Sequence, residues 1–145
     1  HAAGNDGLNI DLAENANFPN DSDDNKIEFA SNVITVGALN YNYGEGVIAG
    51  FSNYGAFNVD VFAPGEEIYA AMIRSYFPKL SAKQVKQILM SSGTPLPSKV
   101  VVGEKKELKN AAEVGKSASM VNAYNAFIMA EQLSKNPKAK LKIQG

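Results

Sequence analysis

A chain of 145 residues with 45% hydrophobic residues is long enough for one domain with a real core, and its composition is that of an ordinary globular protein. The absence of cysteine excludes a disulfide framework and a Cys-rich zinc site. No apolar run approaches the roughly 20 residues that a membrane-spanning helix needs. The net charge of −1 hides a strong asymmetry, since residues 1–70 carry eleven acidic groups and one basic group, while residues 71–145 carry four acidic and thirteen basic. Such a division can mark a nucleic-acid arm or a cation site. The plainer reading is that the lysines coat helix faces: Lys79, Lys83 and Lys86 recur at helical spacing opposite an apolar stripe, with no interleaved aromatics to stack on bases. No nucleic acid partner is expected.

The chain opens on His1-Ala2-Ala3-Gly4-Asn5, without methionine or a signal pattern, and this opening predicts a fragment of a longer protein. Residues 6–31 read as an Asn- and Asp-rich loop punctuated by Pro19. Asn32–Ala38 is a nearly continuous β-branched run, as expected of a parallel strand covered on both faces. Tyr41–Gly46 is a turn. Val47–Phe51 and Val59–Ala63 read as short strands, the second stopped by Pro64-Gly65, and Glu67–Ala70 as a further short strand.

After Ala70 the pattern turns helical. Ala71–Phe77 has the look of a helix tail closed by Pro78. Ser81 and Gln84 form a capping box at the head of a helix that buries Val85, Ile88 and Leu89 and ends near Gly93. Val100–Val102 is a candidate strand. A last helix is expected over 121–133 with Val121, Tyr124, Phe127 and Ile128 on its buried face, and the tail after Asn136-Pro137 is lysine-rich. The independent reading is thus an α/β domain over residues 1–145.

Several short signatures in order resemble the subtilisin-like serine proteases, the subtilase family. Ala2-Ala3-Gly4-Asn5-Asp6-Gly7, Asn17-Phe18-Pro19, Asn32–Ala38, Phe51-Ser52-Asn53-Tyr54-Gly55, Val61-Phe62-Ala63-Pro64-Gly65 and Val121-Asn122-Ala123 each resemble a family segment. Each alone is weak; their order and spacing are not. The resemblance implies the C-terminal part of a catalytic domain, with a parallel sheet flanked by helices on both faces, incomplete in this chain. It also implies a serine endopeptidase that works through an Asp/His/Ser triad and an oxyanion hole.

By that resemblance Asn5 is the oxyanion donor, and Ala2, Ala3, Gly4 and Asn17 line the specificity pocket. From the residues alone, Gly4–Gly7 is equally ordinary turn chemistry, and the small residues equally suit a tightly packed strand. Phe18-Pro19 is expected to be a cis peptide. The triad is absent. His1 precedes the oxyanion motif and does not match the family base, and Ser117-Ala118-Ser119-Met120 imitates the nucleophile motif without its flanking residues and in the wrong order. The family's serine loop would fall between Ala70 and Ala71, so a missing segment is expected there, with the two residues far apart in space. A direct link is expected to pull Met72, Ile73 and Phe77 out of the core.

No cofactor is required. Calcium stays open, because Asp6, Asp11, Glu14, Asp21, Asp23 and Asp24 gather acidic oxygens, although a solvated acidic loop accounts for them as well. The expected partners are a protein or peptide substrate and the remainder of the protease domain, in a secreted or cell-envelope bacterial setting. The competing reading is a catalytically inactive subtilase-like module kept for binding or scaffolding.

Overall fold

The computed structural model describes residues 1–23, 27–64 and 68–136. Its main sheet joins β1 (Val36–Ala38), β2 (Val61–Ala63), β6 (Ser119–Met120) and β3 (Thr94–Pro95) in that spatial order. β1 pairs with β2 in parallel, with Gly37 opposite Phe62, and β2 pairs in parallel with β6. β3 closes the edge antiparallel. On the outer side of β1, Ala2 makes a parallel bridge to Val36, so residues 1–3 act as one more short strand. β4 (Lys99–Val102) and β5 (Glu107–Asn110) form a separate antiparallel hairpin. The helices are α1 (Ile68–Tyr76), α2 (Ala82–Ser91) and α3 (Ala123–Lys135).

The sheet is centred on Phe62, which is fully buried. A Cβ at Gly37 would lie 2.3 Å from the Phe62 ring, and one at Gly115 would lie 2.9 Å from its far side. Two glycines therefore create the slot that a large ring fills. Because side chains alternate along a strand, Phe62 points to one face while Val61 and Ala63 point to the other. Phe62 joins Val59, Ile48, Tyr54, Val100, Val102 and Val114 in one core. Ile73, Leu80, Ile88, Ala126 and Leu133 form a second, helical core. The expected α/β sheet is present and covered; the described helices all share this second core, while loops and the β4–β5 hairpin contribute the first.

Several local expectations change. The strand expected over 32–38 is regular only from Val36, because Val33 N–H closes a turn on Ala30 and Thr35 N–H donates to the Asp60 carboxylate at 2.8 Å. Val33, Ile34 and Val36 are nonetheless partly buried. Val47–Phe51 is not a strand: after a 3₁₀ turn at Gly44–Gly46, Ile48 makes one bridge to Leu39, and Ser52 N–H turns back to Ala49. Ile68–Ala70 belongs to α1 rather than to a strand, and Gly65–Glu67 lie outside the described residues, as does the lysine-rich tail.

α1 runs unbroken through Ala70 and Ala71. Of the three side chains expected to be expelled, Ile73 is fully buried against α2 and α3 and Phe77 is partly buried, while Met72 is exposed. α2 begins as expected, with Ser81 accepting from Gln84 N–H and the Gln84 side chain returning to Ser81 N–H. Gly93 is required for a reason other than a left-handed cap, since its Cβ would lie 2.4 Å from Ser119 Oγ. On α3 the buried face is Ala126, Ala130 and Leu133. Of the face expected from sequence, Val121 and Phe127 pack partly against this core, Phe127 edge-on to Tyr76 and Phe77 of α1, while Tyr124 is 75% exposed and Ile128 also faces solvent.

Lys86 is the main correction to the charge reading. Lys79 and Lys83 are exposed, but Lys86 is 5% exposed, and its ammonium lies 2.7 Å from Asp21, 3.1 Å from Glu28 and 3.1 Å from Asp60. Lys116 meets Glu28 at 2.9 Å and Asp60 at 3.5 Å. Two lysines of the basic second half thus meet three carboxylates of the acidic first half.

Candidate active site

The carboxyl ends of parallel strands are where α/β folds present ligand-binding residues, because the loops leaving them are free to vary. Here the Ala2–Ala3 strand ends in the turn Gly4-Asn5-Asp6-Gly7. Gly4 at φ +105° and Gly7 at φ +64° occupy backbone conformations that L side chains rarely adopt. A Cβ on Gly4 would also meet Asn53 Nδ2 at 2.5 Å, and one on Gly7 would meet the Gly50 carbonyl at 2.9 Å. The glycines are demanded by both conformation and space.

Asn53 holds this turn and was missed as a site residue. It is nearly buried. Its Nδ2 donates to the Ala3 carbonyl at 3.0 Å, and its Oδ1 accepts from Asp6 N–H at 3.1 Å and Leu8 N–H at 3.0 Å. Its own N–H donates to the Gly4 carbonyl. One side chain therefore satisfies the backbone on both sides of Asn5. The available signal was an amide inside the otherwise buried run Ser52-Asn53-Tyr54-Gly55, which needs a reason to be there. Ser52 is also structural: its hydroxyl accepts from Ala38 N–H and donates to the Asn53 carbonyl.

Asn5 sits at the crest of the turn and is exposed. Asn17 Nδ2 donates to the same Ala3 carbonyl at 2.6 Å, and would lie 3.2 Å from a Cβ on Gly4. The structure thus brings Ala3, Gly4, Asn5 and Asn17 together. Ala2, on the alternate face of the strand, is exposed, whereas Ala3 is buried. Phe18-Pro19 is cis, as expected. Beyond Asp6 the turn borders a cleft of about 370 Å³, walled by Leu8 and Leu12 on one side and by Val102, Gly103 and Glu104 of the hairpin on the other. Tyr54, which also lines it, has its pKa raised by burial, against an opposing pull from Lys109.

The two imitators of catalytic residues have other positions. Ser119 is buried in β6 with its hydroxyl 2.8 Å from that of Ser117, which in turn donates to the Asp60 carbonyl. His1 lies in the Ala2 strand, its carbonyl accepting from Val36 N–H. The carboxylates considered for calcium are dispersed. Asp11 accepts from Phe57 and Asn58 N–H, Asp23 from Ile27 N–H, and Asp21 pairs with Lys86. Among the described residues no three His, Cys, Asp or Glu side chains are grouped to hold a metal; Asp24 lies outside them.

The turn that carries Asn5, the Asn17 contact and the Asn53 brace all fall within one stretch. Residues 1–69 match the model of the subtilase family. The resemblance read from the ordered signatures therefore holds over this stretch. Among solved structures, the chain is similar to the A-subunit of the AB5 toxin from E. coli, with a TM-score of 0.60 at 23% identity over 89% of this chain and 49% of that one. It is similar to a structure from work on subtilase cytotoxin SubAB assembly, with a TM-score of 0.60 at 24% identity over 94% and 50%. It also resembles the prenylagaramide maturation protease PagA, with a TM-score of 0.52 at 18% identity over 89% and 49%. These likenesses show a shared fold, and the chain spans about half the length of each. No curated protein matches the chain in sequence. Among the described residues no helix is long and apolar enough to cross a membrane.

Proposed function

We propose that the complete protein is a serine-type endopeptidase of the subtilase family, with Asn5 as an oxyanion donor and an Asp/His/Ser triad supplied by chain outside these 145 residues. The observation that carries this is the exposed Asn5 amide on a turn whose backbone is fixed on both sides by Asn53. A neutral amide held in place can meet charge developing on a tetrahedral intermediate without itself becoming a buried ion. Preorganisation matters because a donor that must first be ordered gives back much of what it contributes. Ala3, Gly4 and Asn17 then wall the pocket for the substrate side chain before the cut, and Ala2 flanks it. The substrate is a protein or peptide, and a secreted or cell-envelope setting suits such an enzyme. No cofactor takes part, and any calcium would serve stability.

In this reading the serine-bearing segment enters between Ala70 and Ala71. One observation favours the other reading, an inactive subtilase-like module: α1 crosses that junction and still buries Ile73 completely. Intact mass of the natural protein separates the two, since additional chain supports the enzyme. The functional test is cleavage of casein or a chromogenic peptide by the full-length protein and by its Asn5→Ala variant. The expected loss is roughly 10²–10³ in kcat, a factor taken over from a subtilisin's own oxyanion asparagine rather than derived. An unimpaired variant removes the assignment. The 145-residue chain alone is expected to turn over no protein substrate.

A further inference from the structure

The structure assigns Lys86 as a positioning residue for substrate selection: its ammonium fastens the Asp21–Ala30 arm to the sheet, and so holds Asn17 against Ala3 and Gly4. The role in selection rests on the endopeptidase reading above.

Two amides converge on the Ala3 carbonyl, and they are anchored differently. Asn53 reaches it from the buried core. Asn17 reaches it from the long segment between Ala16 and Ala30, whose described residues form no helix or named strand. Its described backbone bonds are mostly internal: Phe29 and Ala30 N–H return to the Asp21 carbonyl, and Asp23 pairs with Ile27. Besides the Asn17 amide and the packing of Pro19 and Asn20 near His1, Ile10 and Thr35, charged side chains tie it to the sheet and to α2. Asp21 from one arm and Glu28 from the other meet on Lys86 of α2, which also contacts Asp60 at the amino end of β2. Lys116 adds a second link, from Glu28 to Asp60. Asp60 is in turn fixed by Thr35 N–H beside β1.

A lysine taken out of water to this degree is retained only where it gains close partners. Here the partners come from two arms of one loop and from the sheet edge, so the geometry is that of a clamp. Burial acts to lower the Lys86 pKa, but the Asp21 hydrogen bond, the Asp60 charge and Glu28 outweigh it, and the ammonium is held more firmly protonated. Loosening the clamp frees Asn17 and leaves Asn53 in place. The wall of the pocket should therefore be affected, and the Asn5 turn should not.

The test uses the full-length protein and peptide substrates that differ only in the residue before the cut: Phe, Leu or Arg. Lys86→Met is expected to shrink the ratio of kcat/KM between best and worst substrates by about fivefold or more. The change should lie in KM, with kcat within twofold, and Lys86→Arg should restore most of it. Amide exchange over residues 17–23 should quicken, while exchange at 4–8 stays as in the wild type. An unchanged ratio in a folded Lys86→Met protein overturns the proposal, and so does a fall in kcat at constant KM. If Lys86→Met does not fold, Glu28→Gln keeps the Asp21 contact and should shrink the ratio by about two- to threefold; no change there also overturns it. A wild-type protein that cleaves no substrate refutes the endopeptidase reading, and the exchange arm then judges the clamp by itself: faster exchange at 17–23 upholds it and unchanged exchange overturns it.

Discussion

Replacing Lys86 by methionine keeps most of the side-chain volume and removes the charge, so it isolates the electrostatic part of the buried network. Asp21 and Asp60 are each about 1% exposed and would lose their shared cation. Lys116 remains near Asp60, but at 3.5 Å and from a partly exposed position, so compensation is incomplete. Removing one partner of a buried pair costs about 3–5 kcal/mol, because the orphaned ion keeps its desolvation penalty. That range is the expected loss for Lys86→Met near pH 8. The double variant Lys86→Met with Asp60→Asn should lose about half as much, since one of the orphaned carboxylates is then neutral.

The pH dependence sharpens the test. In the wild type, burial already raises the Asp60 pKa, against the pull of Thr35 N–H, Lys86 and Lys116. Without Lys86 that rise grows, because one of the groups opposing it is gone. A carboxyl whose folded pKa lies above its unfolded value takes up protons on folding, so its penalty fades as pH falls toward that folded value. The gap between wild type and variant should therefore narrow from pH 8 to about pH 4.5. Urea unfolding of both proteins at the two pH values measures it. A loss under about 1 kcal/mol at pH 8, or an equal loss at both pH values, would refute the account of Lys86 as the shared counter-ion.

Other perturbations probe separate parts of the argument. Phe62→Ala empties the slot between Gly37 and Gly115 and should cost about 3–5 kcal/mol in thermal or urea unfolding. Gly7→Ala forces a side chain into the left-handed region against the Gly50 carbonyl, so a loss of at least about 1–2 kcal/mol is expected by the same measurement. On the endopeptidase reading, Asn53→Ala should lower kcat of the full-length protein more than it changes KM, because it unfastens the turn around Asn5 rather than the pocket; a pure KM effect contradicts that. In wild-type protein Glu28 sits in a partly exposed position where burial raises its pKa but Lys116 and Lys86 outweigh this and lower it. Its contribution is present above the ordinary glutamate value and is lost as pH falls through the lower folded value. Lys86, with its pKa raised, contributes below the ordinary lysine value and loses that contribution only as pH rises through the higher folded value. Acid and strongly alkaline unfolding of wild type and Glu28→Gln should show the acid limb changed most, with a smaller shift of the alkaline limb to lower pH because Glu28 is one of the groups that raise Lys86.

What could be read directly from the sequence was whatever local chemistry determines. The Ser81–Gln84 box needs only residues three apart, and the structure forms it as written. Val61–Ala63 and the strand end at Val36–Ala38 follow from β-branched runs, and the glycines at 4 and 7 from turn chemistry. The long-range partners of charged and amide side chains were less accessible. Helical periodicity placed Lys86 beside Lys79 and Lys83, because period alone says which side of α2 a residue occupies and not what lies there. It could not show that the Asp21–Ala30 arm covers that side with two carboxylates. For the same reason hydrophobicity picks out Val121 and Phe127, which do pack on the helical core, together with Tyr124 and Ile128, which do not, and passes over the buried Ala126 and Ala130.

The same distinction explains how the candidate site is built. Asn5 is recognisable from its neighbours in sequence, yet its geometry depends on Asn53, forty-eight residues away, and on Asn17. Asn53 satisfies the Asp6 and Leu8 N–H groups, each a loss of roughly 1–3 kcal/mol if left buried and unpaired, and Asn17 adds a second donor to the Ala3 carbonyl. The turn is therefore specified by residues that need not touch a substrate. A search restricted to reactive side chains finds Asn5 and stops, whereas following where the Ala3 carbonyl and the Asp6 and Leu8 N–H groups go leads first to Asn53, then to Asn17, and from Asn17's loop to Lys86. That route orders the experiments: Asn53 should govern the donor, Lys86 the wall beside it, and the two effects should separate as kcat and KM.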